Sequence, residues 1–451
     1  MILGVVADDL TGATDVGSMS AKAGHLTYVY RHVYAHGSFH GGRHGAVCVL
    51  DTDSRLNDTE TAYAKVFEAT KALRAAGCER FHNKTCSVFR GNVGPEFDAM
   101  LDALGAEFAV VVLGFPKNGR TTVDGVHYVN GVRLEDSPFR HDPVHPMTQS
   151  RLVDILSAQT QRRVSSIGHE VVAGGEVALT AAIAAERERG GYLILDVVDQ
   201  AALATIAAAL VAADVRVSCG ASAVVEELAL AWPAPTDPGA ATRLVAPLDG
   251  SSCGPSGVLV VAGSLTPQTA EQIEWARDAG IRTLTLDTTA VFSEAGAYQE
   301  VTRLARLAAE VVSRGDSVLV HADNRPQAVR STQAAGAALG LDRAATGRLV
   351  SGALAQVADL CREHVGLTKL VVAGGDTSAA VCRRLGVHAL RVLAEVAPGV
   401  PACEAFGGDA EDVGGSDAGR LIAVFKSGSF GGPKFLVTAV AHLQEVDACI
   451  K

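Results

Sequence analysis

This sequence predicts an α/β protein of two domains, each a mostly parallel sheet flanked by helices, the two facing a central cleft. Three observations carry that expectation. Short apolar runs rich in β-branched residues alternate with helical segments closed by glycine, the pattern of a parallel sheet with helices on its faces. At residues 232–257 the pattern stops: W-P-A-P-T-D-P-G and P-L-D-G-S-S-C-G-P-S-G are dense in proline, glycine and small polar residues, as in a linker. The alternation then restarts at residue 258. The expected division is a domain over 1–231, a linker over 232–257 and a second domain over 258–451.

Bulk properties narrow the function classes. The chain has 451 residues, room for two or three domains. Its 48% hydrophobic content supports a sizeable core, and its low aromatic content of 5% suits helices packed closely on a sheet. The formal net charge is −11 without any lysine or arginine tract, which argues against nucleic acid as a partner. It does not forbid an anionic substrate, because local charges decide that. Nine cysteines without a C-x-x-C spacing read as reduced thiols in a cytoplasm. No uncharged stretch reaches the ~20 residues of a membrane span. A soluble cytoplasmic protein, with an apolar content that allows a homodimer, is expected.

In the first half the chain opens with a buried strand over 2–7. Asp8 and Asp9 follow at its carboxyl end, ahead of a helix from Leu10 that stops at Gly24. In an open α/β sheet that position is a ligand crevice. Thr11, Thr14 and Asp15 add oxygens within the next turn and a half. One such acid alone would read as a helix cap; two adjacent acids, a glycine and a third acid read as a site. A strand over 46–50 meets Asp51, Thr52, Asp53, Ser54 and Arg55, and a helix over 59–76 ends at Gly77. The run 81–84 leads into K-T-C-S-V-F-R-G-N, residues 84–92, and a strand over 109–113 leads into G-F-P-K-N-G-R-T-T, residues 114–122. Lys84, Arg90, Lys117 and Arg120 thus lie in loops after strands, and glycine beside Arg90 and Arg120 suggests backbone brought close to something. His141 and His145, flanking Asp142 and Pro143, follow, and read either as a structured loop or as a substrate contact. A helix over 150–160, a strand over 192–195 meeting Asp196, and an alanine-rich helix over 201–212 complete this half. His32, His36, His40 and His44 recur every four residues, but the interleaved glycines oppose the helix that would align them as metal ligands.

The second half places strands over 258–262, 283–286, 317–321, 369–373, 390–393 and 421–425. Three of them run into glycine with serine or threonine: Gly263–Ser264, Gly374 to Ser378, and Ser427–Gly432. Glycine lets backbone N–H groups approach a ligand, and a helix start behind such a loop favours phosphate. Three on one sheet predict a nucleotide site. Neither G-x-x-x-x-G-K-[ST] nor G-x-G-x-x-G occurs, so the site is of neither common type. Residues 409–419, D-A-E-D-V-G-G-S-D-A-G, read as an inserted acidic loop.

The order V-A-D-D-L-T-G-A-T-D (6–15), the 84–92 segment, G-R-T-T (119–122), H-P-M-T (145–148), G-G-D-T (374–377), P-G-V-P (398–401) and K-S-G-S-F-G (426–431) resembles the four-carbon acid sugar kinase family across both halves. The resemblance departs at Cys86, where the family commonly has Asp, and in the segment after Pro401. It implies an ATP- and Mg²⁺-dependent kinase for threonate, erythronate or a 3-oxo-tetronate, acting on the terminal hydroxyl. It places the acid on the first domain, where Asp8, Asp9, Asp15, Lys84, Arg90 and Asn92 match; Arg120, in its glycine-bearing loop, is expected to join Asp8, Lys84, Arg90 and Asn92 as a substrate contact, with Arg90 and Lys84 or Arg120 clamping the carboxylate. A carboxylate must also orient the attacking hydroxyl and accept its proton, so Asp9 and Asp15 are expected as the catalytic acids, Asp9 the base. ATP falls to Ser264, Gly374, Gly375, Asp376, Thr377, Ser378, Lys426, Ser427 and Gly428, and no residue is assigned to the metal. Two other readings stand beside it. A metal-dependent sugar-acid lyase or dehydratase would turn over without nucleotide, and a non-catalytic sensor would bind without product.

Overall fold

Strands that are covered on both faces must be apolar along their length, and here they are. In the computed structural model, which describes residues 3–31, 47–142, 144–232, 257–407 and 421–448, the runs Leu3–Ala7, Val47–Asp51, Gly191–Leu195 and Lys369–Ala373 are buried at every position. The chain divides into two compact units, Met1–Thr242 and Arg243–Lys451.

In the first unit eight strands form a wholly parallel sheet. Their spatial order is β2 (Thr27–Tyr30), β3 (Val47–Asp51), β1 (Leu3–Ala7), β4 (Arg80–Lys84), β11 (Val217–Gly220), β5 (Phe108–Val112), β10 (Gly191–Leu195) and β9 (Val164–Ile167). Ala7 pairs with Asp51 on one side and Lys84 on the other, so the carboxyl ends of β3, β1 and β4 are level. A small antiparallel sheet of β6 (Arg120–Val123), β7 (Val126–Val129) and β8 (Val132–Arg133) follows β5. The expected helix over 150–160 is shorter, Leu152–Ser157.

The second unit holds β13 (Arg282–Leu286), β14 (Val318–Ala322), β12 (Leu259–Ala262), β15 (Lys369–Ala373), β18 (Leu421–Lys426), β17 (Val400–Gly407) and β16 (Val387–Ala397) in that spatial order. The first five are parallel, and the last two add antiparallel. Helices Pro267–Asp278 and Phe435–Ala448 cover one face, with Ile273, Leu436 and Leu443 packed on Val260, Val371 and Val424. The expected strand over 390–393 is part of the longer β16, which turns back through Gly399 (φ 74°) into β17, a strand the sequence did not suggest. The linker expected over 232–257 falls almost wholly outside the described residues, as do His32, His36, His40, His44 and the acidic insertion at 409–419. Among the described residues no helix is long and apolar enough to cross a membrane.

Candidate active site

In the first unit the polar groups gather where β1, β3 and β4 end. Asp8 follows β1 and its backbone N–H donates to the Lys84 carbonyl at 3.2 Å. The Asp8 carbonyl accepts from Ser54 and Arg55 N–H at 3.0 and 3.2 Å, which holds the loop after β3 against the loop after β1. The Arg55 side chain then returns to the acids. Its Nε and Nη2 donate to the two Asp8 carboxylate oxygens at 2.8 and 2.7 Å, and its Nη1 donates to Asp9 at 2.5 Å. Sequence reasoning passed over Arg55 as a site residue, although it stands in the polar run after β3.

Asp9 does what the bland reading of a lone acid allows. It caps the helix Leu10–Lys22, accepting from Gly12 N–H at 2.7 Å and from the Thr11 hydroxyl at 3.0 Å. Burial alone would raise its pKa; the Arg55 and Lys84 charges and the Gly12 amide outweigh burial and hold it below the usual carboxylate range. The three acids differ in access. The Asp9 side chain is 21% exposed, against 1% for Asp8 and 3% for Asp15, so Asp9 is the carboxylate a ligand can reach. Asp15 faces inward, accepts from the Ser222 hydroxyl at 2.6 Å and lies 3.7 Å from the Lys84 ammonium. Gly12 matters for that ammonium: a Cβ there would stand 3.0 Å from Lys84 Nζ and 2.6 Å from Asp9 Oδ1.

A further acid joins them from the helix Val93–Leu104. Glu96 is buried and accepts from the Ser54 hydroxyl at 2.8 Å. Burial, with Asp8 and Asp9 nearby, pushes its pKa up to about 8, which favours the protonated carboxyl. No sequence motif marks it. Arg90 donates to Asp142 at 2.6 Å and to the Cys86 sulfur at 3.3 Å, and stacks over Phe139. Burial raises the Cys86 pKa, but Arg90 and Arg55 prevail and lower it. Asn92 turns away and braces loops, its amide donating to the carbonyls of Asn57 and Ser54 at 2.9 and 3.4 Å. His145 likewise contacts the Arg55 carbonyl, at 3.2 Å. Arg120 is buried, and its Nη1 donates to the Asn118 carbonyl. Away from this group, Asp124, His169 and Asp196 bring three ligand atoms within 4.8 Å of one another. The Asp196 oxygens already accept from three backbone amides, and His169 already contacts Asp124.

In the second unit the three glycine-bearing loops leave three adjacent strands, β12, β15 and β18. Ala262 pairs with Ala373, and Ala373 with Lys426, so the loops start level. They are also bonded together. Gly263 and Ser264 N–H donate to the Ala373 carbonyl at 3.1 and 3.2 Å, Gly374 N–H to the Lys426 carbonyl at 2.8 Å, and the Thr266 hydroxyl to the Gly428 carbonyl at 2.7 Å. Glycine is required by the closeness. A Cβ on Gly428 would lie 2.4 Å from Ser264 Oγ, and Gly374 sits at φ 125° with a Cβ position 3.1 Å from Ser264 N. The helix Gly375–Arg384 begins directly behind, its first-turn N–H groups and dipole favouring an anion. Ser264, Gly374, Gly375 and Gly428 therefore form one cradle, with Asp376 in the first helical turn. Thr377 and Ser378 are buried beneath it. Lys426 is fully buried too: its ammonium donates to Thr269 Oγ1 and to the Ser427 and Gly428 carbonyls at 3.1, 2.9 and 3.0 Å. Burial lowers its pKa to about 7. Its donors serve the loop from below.

Residues 3–228 match the sugar-binding N-terminal domain family and residues 259–436 the nucleotide-binding C-terminal domain family. A 3-oxo-tetronate kinase of Cupriavidus necator is 35% identical over 98% of this chain and 97% of its own length. The chain belongs to the four-carbon acid sugar kinase family. A D-erythronate kinase of Heliobacterium modesticaldum, 31% identical over 87% of this chain and 88% of its own, is a further relative. Among solved structures, a protein of Salmonella typhimurium LT2 superposes with a TM-score of 0.80 at 27% identity, over 97% of this chain and 98% of that one. One from Haemophilus influenzae gives 0.71 at 25%, over 98% of this chain and all of that one. For a four-carbon acid sugar kinase the two groups of loops fall one in each domain. The cluster around Asp9 lies in the sugar-binding domain and the glycine cradle in the nucleotide-binding domain. A lyase reading leaves that cradle without a use.

Proposed function

We propose that this kinase transfers the γ-phosphoryl group of Mg²⁺-ATP to the terminal hydroxyl of a four-carbon sugar acid, a 3-oxo-tetronate before D-erythronate. The cradle of three bonded glycine loops carries the reading, because it sets the start of the helix Gly375–Arg384 beside glycines that put no side chain in the way of a phosphate. Its shape fits a phosphate chain, since side chains at Gly374 and Gly428 would fill it. Ser264, Gly374, Gly375 and Gly428 would hold the phosphates, and bound Mg²⁺ would neutralise charge on them; no metal ligand is assigned. Domains over 1–231 and 258–451 would each carry one substrate.

Phosphoryl transfer needs alignment and charge neutralisation more than covalent help. In this chain Asp9 would orient the attacking hydroxyl and accept its proton, its carboxylate kept ionised by Arg55 and Lys84. Asp8 holds Arg55, and Asp15 holds Lys84, so both act as positioning residues. Lys426 and Thr266 keep the nucleotide loops in register. The preference for a 3-oxo-tetronate rests on the names of the more similar relatives, and of the two it is the substrate to test first. ADP release from Mg²⁺-ATP, measured against 3-oxo-tetronates, D- and L-erythronate and D- and L-threonate, tests the reading. Stimulation by one of them supports it; nucleotide binding without stimulation by any of them rejects it.

A further inference from the structure

Cations stand around the strand ends of the first unit, and most are already compensated: Arg31, after β2, pairs with Asp51 at 3.5 Å. Arg55 is spent on Asp8 and Asp9. Arg90 is spent on Asp142 at 2.6 Å and on Cys86. Lys84 pairs with Asp15 and donates to the Thr85 carbonyl at 3.1 Å. Arg120 differs. It is 8% exposed, its Nε is buried without a hydrogen-bond partner, and its one bond, from Nη1, goes to an uncharged carbonyl. Among the described residues no carboxylate forms an ion pair with it. A buried guanidinium without a counter-charge is costly to keep. Burial and the neighbouring Arg90 disfavour its charge more than Cys86 favours it, and an arriving anion would relieve both.

The backbone holds Arg120 in this place. Arg120 N–H donates to the Phe115 carbonyl at 3.0 Å and Phe115 N–H returns to the Arg120 carbonyl at 2.8 Å. The residue before it, Gly119, is left-handed at φ 67°, and a Cβ there would meet the Asn130 amide oxygen at 2.0 Å. The fork is thus pre-set, the condition under which arginine recognises a planar carboxylate. On the other side, Cys86 lies close enough to both Arg120 and the Asp8–Arg55 pair to feel their charges. The small sheet that carries Arg120 is bonded to the loop after β4, for His127, paired with Thr122, contacts the Ser87 carbonyl at 2.9 Å, so the guanidinium stands beside the loop that holds Cys86 and Arg90.

We propose that Arg120 receives the carboxylate of the substrate acid and thereby turns its other end, the hydroxyl, toward Asp9. Arg90, Lys84 and Arg55 are then scaffold cations whose charges are used within the protein. The inference rests on the proposed function for the identity of the acid, but not for the existence of the anion pocket.

The test is steady-state kinetics of the full-length protein with Arg120→Met and Arg120→Lys, on the four-carbon acid and on erythritol, a neutral four-carbon analogue. In R120M, KM for the acid rises on the order of 10²–10³-fold, as when a buried charge loses its partner. The nucleotide KM stays within about twofold, and the preference for acid over erythritol collapses. R120K, with charge but no fork, recovers part of the loss. Equal losses on acid and erythritol, or a rise in acid KM below about threefold, overturn the assignment by the same logic. A second measurement separates it from the reaction. If the wild type phosphorylates no acid yet is thermally stabilised by one, and R120M loses that shift, the pocket stands and the kinase reading falls. If the acids stabilise R120M as they do the wild type, the pocket falls.

Discussion

Arg55 grips Asp8 with two parallel hydrogen bonds, Nε to Oδ2 at 2.8 Å and Nη2 to Oδ1 at 2.7 Å, and keeps its third arm for Asp9. One guanidinium thereby fixes two adjacent acids that the chain presents at the end of β1. Arg55→Met removes it and leaves two carboxylates facing each other and the buried Glu96. The expected cost is about 3–5 kcal/mol of stability, the range for breaking a buried pair. Chemical denaturation reads that loss. Arg55→Lys recovers charge but not the two-pronged geometry, and restores stability only in part.

Asp9→Asn is unusually clean. Asparagine caps a helix as well as aspartate does, so the helix Leu10–Lys22 keeps its start while the charge disappears. Turnover falls about 10²–10⁴-fold, the range for a lost general base, with Tm lowered by the lost Arg55 ion pair and nucleotide KM unaltered. Near wild-type turnover would reject Asp9 as the base.

Glu96 makes stability depend on pH. Its folded pKa of about 8 lies above the ordinary value of 4.5, so the folded protein binds the extra proton between those values. Its contribution is complete below pH 4.5 and is lost as pH rises toward 8 and beyond. Glu96→Gln keeps a polar side chain beside Ser54 without that proton. The wild-type Tm therefore falls more steeply than that of E96Q between pH 6 and 9. Parallel curves would show that Glu96 is ionised in the folded protein.

Gly428→Ala puts a methyl group 2.4 Å from Ser264 Oγ. Overpacking of this kind costs about 1–3 kcal/mol, which raises KM for the nucleotide by about 10-fold. KM for the acid stays as it was. Lys426→Met has the same signature by a different route, since the Ser427 and Gly428 carbonyls lose the ammonium that holds them. A variant that changed both substrates' KM equally would point to general unfolding instead.

The parts legible in the sequence were those where only one residue type fits. Gly374 and Gly428 stand where a Cβ cannot, and the apolar runs before them had to be strands covered on both faces. The directions of side chains were not legible. Lys426 reads like a phosphate ligand in the loop, yet the peptide carbonyls beneath the loop claim its ammonium. Asn92 sits in an arginine-glycine motif and turns to brace Asn57. Arg55 lies 47 residues from Asp8, and nothing nearby shows that its fork returns there. Glu96 looks like an ordinary acid in a first helical turn until packing removes its water. Short strands escaped for a different reason. β2 is only four residues and β9, V-S-S-I, is half polar, so neither repeats a period long enough to see.

The bond from the Thr266 hydroxyl to the Gly428 carbonyl spans 162 residues of chain. Every loop of the nucleotide cradle therefore waits for β18, which the ribosome makes after the other strands of that sheet. Until then β15 has an open edge of unpaired amides, a hazard for aggregation. Contacts so distant in sequence also close slowly. Nucleotide affinity is then a late marker of maturation in this domain: a nascent or truncated chain could have most of its core and still grip no phosphate.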